Sequence, residues 1–326
     1  MKKVLLLWGG KGSEHEVSIV TAKSILENIN TMLFEVTTVI IDYDNIWYEY
    51  SDEYQYLDNW QTKNTKVVDN IVEYLYSFDV VFPIIHGYGG EDGKLQGMLD
   101  LFDIKYVGCK TLSSATCMDK DFSKMIFGYL EIPQVPFITL TNTDFKLKDI
   151  VKKLGLPMIV KPANGGSSIG INKVNSKREL KKAINEAFNY DSKVVIEKFI
   201  NARELECAVL EEEDYYISEV GEIKSANEFY DYQAKYENKE SYTIVPADLK
   251  ISVSNKIKEY AEIAFKGINC KGLARIDFFY DEDNNQIYLN EINTLPGFTS
   301  ISMFPKLFMH EGISYKDLIT KIINNC

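Results

Sequence analysis

Short apolar blocks alternate along the chain with polar segments of helical spacing. The first block, residues 4–8 (Val-Leu-Leu-Leu-Trp), stops at Gly9-Gly10. A block with no polar face predicts a parallel strand covered on both sides. Residues 17–28 then predict a helix, 34–41 a second strand, 80–85 a third and 93–102 a helix. This alternation predicts a mostly parallel α/β sheet over residues 1–108, which would form an N-terminal domain. The intervening 42–64 are acidic and aromatic and predict a strand or hairpin with a loop.

The pattern changes beyond that point. A helical section runs from about 112 to 129, punctuated afterwards by Pro133 and Pro136. Strands are predicted at 157–161, 172–174 and 193–197, with a helix at 177–188. The last third predicts strands at 204–210, 215–219, 272–280 and 286–290, and helices at 253–268 and 315–324. A chain of 326 residues exceeds one small core, and the expected division is 1–108, 109–197 and 198–326. The polar stretch 223–243 interleaves Phe229, Tyr230, Tyr232 and Tyr236 with Asp231, Lys235 and Lys239. It reads either as a surface loop or as a lid that packs on ligand, the latter because long unstructured segments in compact domains are commonly functional.

Composition narrows the function. The net charge of −12 argues against nucleic acid or an anionic membrane surface as partner. An anionic ligand would need a local cluster of Lys, Arg and backbone N–H groups. No apolar run reaches membrane length. The five cysteines are scattered and lack metal-ligand spacing, so reduced thiols in a cytoplasm are expected. The three histidines are dispersed, which argues against a zinc site.

Candidate chemistry begins at Leu289-Asn-Glu-Ile-Asn-Thr-Leu-Pro-Gly-Phe298. Glu291 and Asn293 are two apart and share a strand face. Asp277 and Arg275 share a face of the preceding apolar strand. If the two strands pair through a turn at 281–285, Asp277, Glu291 and Asn293 bring oxygen ligands to one place. Two adjacent carboxylates repel unless a cation lies between them, and such oxygens suit Mg²⁺. The alternative is simply the end of an edge strand. Lys161-Pro-Ala-Asn-Gly-Gly-Ser-Ser-Ile-Gly170 links two strands. Its glycines admit phosphate close to backbone N–H groups, with the Ser167 and Ser168 hydroxyls as further donors; an ordinary hairpin turn is the other reading. No phosphate-loop or dinucleotide spacing is present. Lys120, Lys161 and Lys235 would therefore be the cationic partners of a nucleotide held between strands. The loops 12–17 and 86–93 follow the first and third strands, where open parallel sheets bind ligands. Each also reads as a helix start, Ser13 with Glu16 fitting a capping box; together they point to a small polar pocket that includes His86.

These segments resemble the D-alanine–D-alanine ligase family of the ATP-grasp superfamily over nearly the whole chain. The markers are GGKGSEHEVS, HGYGGEDGKLQG, CMDKDFSK, KPANGGSSIG, EFYDYQAKY, GLARIDFF and NEINTLPGFTSIS. The resemblance implies a three-domain ATP-grasp fold, an N-terminal parallel α/β domain plus two α+β domains clamping ATP. The activity implied is ATP-dependent joining of two D-alanines through an acyl phosphate, for peptidoglycan precursors, with D-serine or D-lactate as the alternative second substrate. Lys120 and Lys161 would contact ATP phosphates, Glu197, Lys198, Phe199 and Ile200 adenine, and Glu204 the ribose. Asp277, Glu291 and Asn293 would hold two Mg²⁺ ions, or Mn²⁺. Glu14, tied to Ser167 and Tyr236, would bind the first ammonium. Arg275 and the Gly297 N–H would stabilise the oxyanion, and Ser302 would anchor the second carboxylate. Tyr236, rather than His, together with Met303, rather than Arg, points to the dipeptide-forming type. A cytoplasmic homodimer is implied as well.

Overall fold

The computed structural model describes residues 1–166, 169–224 and 242–326. Its first sheet contains β1 (Lys2–Gly9), β2 (Phe34–Ile41), β3 (Trp47–Tyr50), β4 (Thr65–Val67) and β5 (Val80–Pro83), in the order β4-β3-β2-β1-β5. β1 lies parallel to both β2 and β5. Val4 to Trp8 are fully buried because helices cover both faces, among them α1 (His15–Asn28), α2 (Ile71–Leu75) and α3 (Lys94–Leu101). The segment 42–64 adds the antiparallel β3 and a 3-10 helix, Tyr54–Thr62, before β4 closes the edge.

The second sheet is antiparallel, with β6 (Phe137–Leu140), β7 (Met158–Pro162), β8 (Asn172–Val174) and β9 (Val194–Lys198) in the order β6-β9-β7-β8. α6 (Leu147–Leu154) and α7 (Lys177–Ala187) cover it with an apolar face of Ile150, Leu154, Leu180 and Ile184. The third sheet holds β10 (Arg203–Glu211), β11 (Tyr215–Lys224), β12 (Tyr242–Ile244), β13 (Leu273–Asp281) and β14 (Gln286–Asn293), in the order β12-β11-β10-β13-β14.

Three helices pack on the third sheet: α4 (Thr111–Met118), α5 (Lys120–Tyr129) and α8 (Ile251–Gly267). The last two, α9 (Met303–His310) and α10 (Tyr315–Asn324), turn back onto the first sheet, where Phe304, Phe308, Leu318 and Ile322 join Val4, Leu6 and Trp8 in one core. The helical section expected from 112 to 129 is broken. Asp119, at φ −87° and ψ 101°, leaves the helical region and accepts hydrogen bonds from the N–H groups of Asp121 and Phe122 at 3.1 and 3.2 Å, so a second helix starts at Lys120.

Candidate active site

The second and third sheets face each other across a cleft, and their strands place its polar groups. Lys161 comes from β7, Glu197 and Lys198 from β9, Glu204 and Glu206 from β10, Asp277 from β13, Glu291 from β14, and Lys120 from α5; all line one cavity with Phe199 and Ile200. Its remaining wall is mostly apolar, from Ile159, Ile171, Leu205 and Phe279 among others, with Asn201 and Asn290 as polar members. At its floor the Glu197 carboxylate is gripped by two ammonium groups, Lys124 at 2.7 Å and Lys161 at 2.8 Å. Burial alone would raise this carboxyl, but the two lysines pull it down to about 2. The Lys120 ammonium donates to the Gly165 carbonyl at 2.6 Å and lies 4.0 Å from Glu291. Burial lowers its pKa and neighbouring Lys161 lowers it further, against the pull of Glu291.

The strand pairing expected from sequence is present. Across β13 and β14, Asp277 faces Glu291 and Arg275 faces Asn293. Asn293 donates its amide to Asp277 Oδ2 at 2.8 Å. Arg275 grips both oxygens of Asp277 at 2.8 Å and Glu206 at 3.0 Å. Burial opposes its charge, yet these carboxylates hold the guanidinium well above its ordinary value. Among the described residues no three His, Cys, Asp or Glu groups converge as a metal site. The set here is two carboxylates and an amide, hard oxygens that fit Mg²⁺, and a carboxylate oxygen held by Arg275 keeps a lone pair to offer.

A second cavity adjoins the first, with Lys120 and Glu291 lining both. Glu14, His86, Glu91, Arg275 and Gly297 also line it. Glu14 stands at the N-cap position of α1, and no side chain caps that helix, so Ser13 and Glu16 do not form the expected box. His86 is buried, with Nε2 3.1 Å from Thr21 Oγ1 and Nδ1 3.5 Å from Glu91. Burial would lower the imidazole, but Glu91, with Glu14 behind it, holds it above the usual histidine value. Gly87, at φ +69°, makes room for Glu14: a Cβ there would stand 2.5 Å from Glu14 Oε2.

Ser302 lies beside Gly297; its hydroxyl accepts from the Thr299 N–H at 3.1 Å. Met303 lines neither cavity. It is 5% exposed, in the core shared by the first sheet and the last helices, with its sulfur against Gly221. Ser167, Ser168, Lys235, Tyr236 and most of the expected lid lie outside the described residues. Three groups at the site escape the sequence reading: Lys124, Glu206 and Glu91. Spacing could have found two of them. Lys124 is four residues after Lys120 on one helix face, and Glu206 is two after Glu204 on one strand face.

Two antiparallel sheets closing on a cleft of lysines and carboxylates, beside a parallel α/β domain, define an ATP-grasp ligase fold. Family models for the D-ala D-ala ligase N-terminus and C-terminus match residues 3–109 and 126–324. A D-alanine–D-alanine ligase from Caldicellulosiruptor bescii is 45% identical, covering 99% of this chain and 94% of its own. Among solved structures, the VanG D-Ala:D-Ser ligase from Enterococcus faecalis superposes with a TM-score of 0.90 at 36% identity, over 99% of this chain and 98% of that one. A D-alanine–D-alanine ligase from Bacillus anthracis, complexed with ATP, gives 0.80 at 29% identity, over 100% and 97%. The chain belongs to the D-alanine–D-alanine ligase family.

Proposed function

We infer that this chain uses ATP to join two D-alanine molecules into D-alanyl-D-alanine for peptidoglycan precursor synthesis. The observation that carries the reading is that the two cavities share Lys120 and Glu291. A phosphoryl donor in the first and a carboxylate acceptor in the second would meet there. The apolar slot around Phe199 and Ile200 suits a purine, Glu204 the ribose, and Lys120 and Lys161 the phosphates. Asp277, Glu291 and Asn293 would hold Mg²⁺, two ions by the family resemblance, with Mn²⁺ as a substitute. Such ions, when bound, neutralise charge on the phosphoryl oxygens.

Glu14 would pair with the ammonium of the first D-alanine, whose carboxylate takes the γ-phosphoryl group and releases ADP. The amine of the second D-alanine then attacks the acyl carbon and phosphate leaves. Arg275 carries more N–H donors than its contacts to Asp277 and Glu206 use. Those left over, with the Gly297 N–H, would stabilise the tetrahedral oxyanion. His86 and Ser302 would complete the substrate pocket, Ser302 toward the second carboxylate. Ser167 and Lys198 keep the roles that the resemblance gives them, and Ser168 and Lys235 the phosphate-side roles read from the sequence.

A D-serine second substrate is the other reading, favoured by the likeness to the D-Ala:D-Ser ligase structure. Curated relatives of 45% and 43% identity named D-alanine–D-alanine ligase favour the first. ATP-dependent phosphate release against D-alanine, D-serine and D-lactate, with product masses, separates them: D-alanyl-D-alanine is expected, and a D-serine or D-lactate product as the main one overturns it. Five free thiols favour a cytoplasmic setting. A homodimer follows from the family resemblance and is checked by light scattering.

A further inference from the structure

Lys124 is a buried cation that the reaction outlined above does not use. It is 1% exposed and among the largest fully buried side chains. It does not line the nucleotide cavity, whereas Glu197 and Lys161 do. Its ammonium lies 2.7 Å from Glu197 Oε1, while Lys161 takes Oε2 at 2.8 Å. The centre of the Phe137 ring lies 5.1 Å from the Lys124 ammonium. Gln134 donates to the Lys124 backbone carbonyl at 2.9 Å and fixes that turn of α5. A buried lysine is costly unless paired, so its presence calls for a task.

Two cations on one carboxylate are more than charge balance needs when the cleft is empty. They are not more than it needs once a polyphosphate draws on Lys161. The other charged groups facing the pair are Lys120 on α5 and Glu291 on β14. Neither pairs with Glu197: Lys120 is turned to Gly165 and to Glu291. We propose that Lys124 is a positioning residue for ATP, the standing counter-ion that keeps Glu197 ionised and in place while Lys161 turns to the phosphates. The proposal rests on reading this cavity as the nucleotide site.

Lys124→Met keeps the length and removes the charge. With Lys161 engaged by phosphate, Glu197 would then be a buried carboxylate without its partner and would take up a proton as nucleotide binds. Titration calorimetry with the β,γ-imido analogue of ATP, in two buffers of unlike ionisation heat, reads that proton. For Lys124→Met the expected result is proton uptake and an affinity about 10-fold lower or worse, the range seen when a supporting group behind a site is removed. The loss should shrink as pH falls from about 8 to 6, since binding that takes up a proton strengthens in acid. The KM for ATP should rise more than that for D-alanine. Lys124→Arg, which keeps the charge, should restore affinity and abolish proton uptake.

A folded Lys124→Met protein with natural affinity and no proton uptake overturns the proposal, as does a Lys124→Arg protein as weak as Lys124→Met. If Lys124→Met does not fold, Lys124→Met/Glu197→Gln, which removes the buried carboxylate along with its counter-ion and leaves Lys161 to the phosphates, replaces it. A folded double variant whose nucleotide affinity follows pH as the natural protein's does supports the counter-ion role. One that also fails to fold, or whose affinity changes with pH differently from the natural protein's, makes Lys124 a packing residue and ends the idea. Failure of the natural protein to bind the analogue would instead sink the nucleotide reading itself.

Discussion

At the scale of single residues, Glu291 and Gly87 isolate the two halves of the site. Glu291 faces Asp277 across the strand pair and borders both cavities. Like charges directly opposite on paired strands destabilise them, a cost that a cation bound on the proposed reading would offset. Glu291→Gln should therefore leave thermal stability unchanged or slightly raised while lowering turnover on the order of 100- to 1,000-fold, the usual cost of losing one charge-stabilising group. Near-normal turnover of the folded variant at ordinary Mg²⁺ would end the metal assignment. Gly87 has a different logic. A methyl group there would sit 2.5 Å from Glu14 Oε2, and φ is +69°. Gly87→Ala should cost about 1 kcal/mol or more of stability, as alanine does where φ is positive. It should also push Glu14 aside and raise the KM for D-alanine about 10-fold, since a misplacement of about 1 Å can cost up to about 100-fold. The KM for ATP should hardly move. Equal shifts in both constants would show that Glu14 does not serve the second cavity.

Among the elements, α5 has the most to do. Its apolar side, with Phe127, belongs to the core of the third sheet. Its polar side meets the second sheet: Lys124 pairs with Glu197, and Asp121 accepts a hydrogen bond from Thr139 at 2.6 Å. The helix is thus a strut between the two jaws, and its start at the Asp119 cap aims Lys120 into the cleft. One consequence is a specific acid sensitivity. The Glu197 carboxyl is drawn from its ordinary 4.5 to about 2. A carboxyl depressed in the folded state adds stability above its unfolded pKa and loses it as pH falls through the folded one. The natural protein should lose stability in urea more steeply between about pH 4.5 and pH 2.5 than Glu197→Gln, whatever the offset between them. Parallel curves would mean that the lysines do not hold this carboxylate. Spacing could have drawn attention to Lys124 but not to its pairing with Glu197 on β9, because a lysine in a helix reads as solvated until something buries it. Elements with local periodicity were legible, and β2, β8 and α10 start and end where the pattern puts them. α9 was not among the expected elements; its Pro305 sits in the first turn, where the missing N–H is an orphan anyway, so proline does not bar a helix there. β11 runs on to Lys224, past the expected 219, because pairing with β10 continues to Ile223. Arg275, Asp277, Glu291 and Asn293 were legible because strand alternation fixes facing without knowledge of the fold. Met303 was not, because its burial is set by the return of α9 onto the first sheet.

For the whole molecule, three sheets need not mean three independent bodies. One core joins residues of the first sheet to Ala208, Leu210 and Leu273 of the third and to the last two helices. Among the described residues, the second sheet's core draws only on its own strands, helices and their connections, from Ile138 to Ile196. The segment from Cys109 to Ile132, placed by sequence with the second sheet, contributes its apolar side chains to the third sheet's core instead. On this division the second sheet is one jaw and the rest of the molecule is the other, tied by α5, by the Lys120 N–H to the Ala163 carbonyl at 3.0 Å, and by the loops around the cleft. A body with a separate core can open separately. A ligand bound in the cleft, between residues of both jaws, would then stabilise most the body that opens more readily. Hydrogen exchange should be slowed by Mg²⁺ and the imido analogue of ATP in β7 and β9, on the order of 100-fold at about 100 times Kd, which corresponds to about 2.7 kcal/mol. Exchange in β1, locked in the larger core, should change little. Equal slowing in β1, β7 and β9 would mean that the chain opens as one unit, and slowing confined to β1 would put the nucleotide in the wrong cavity.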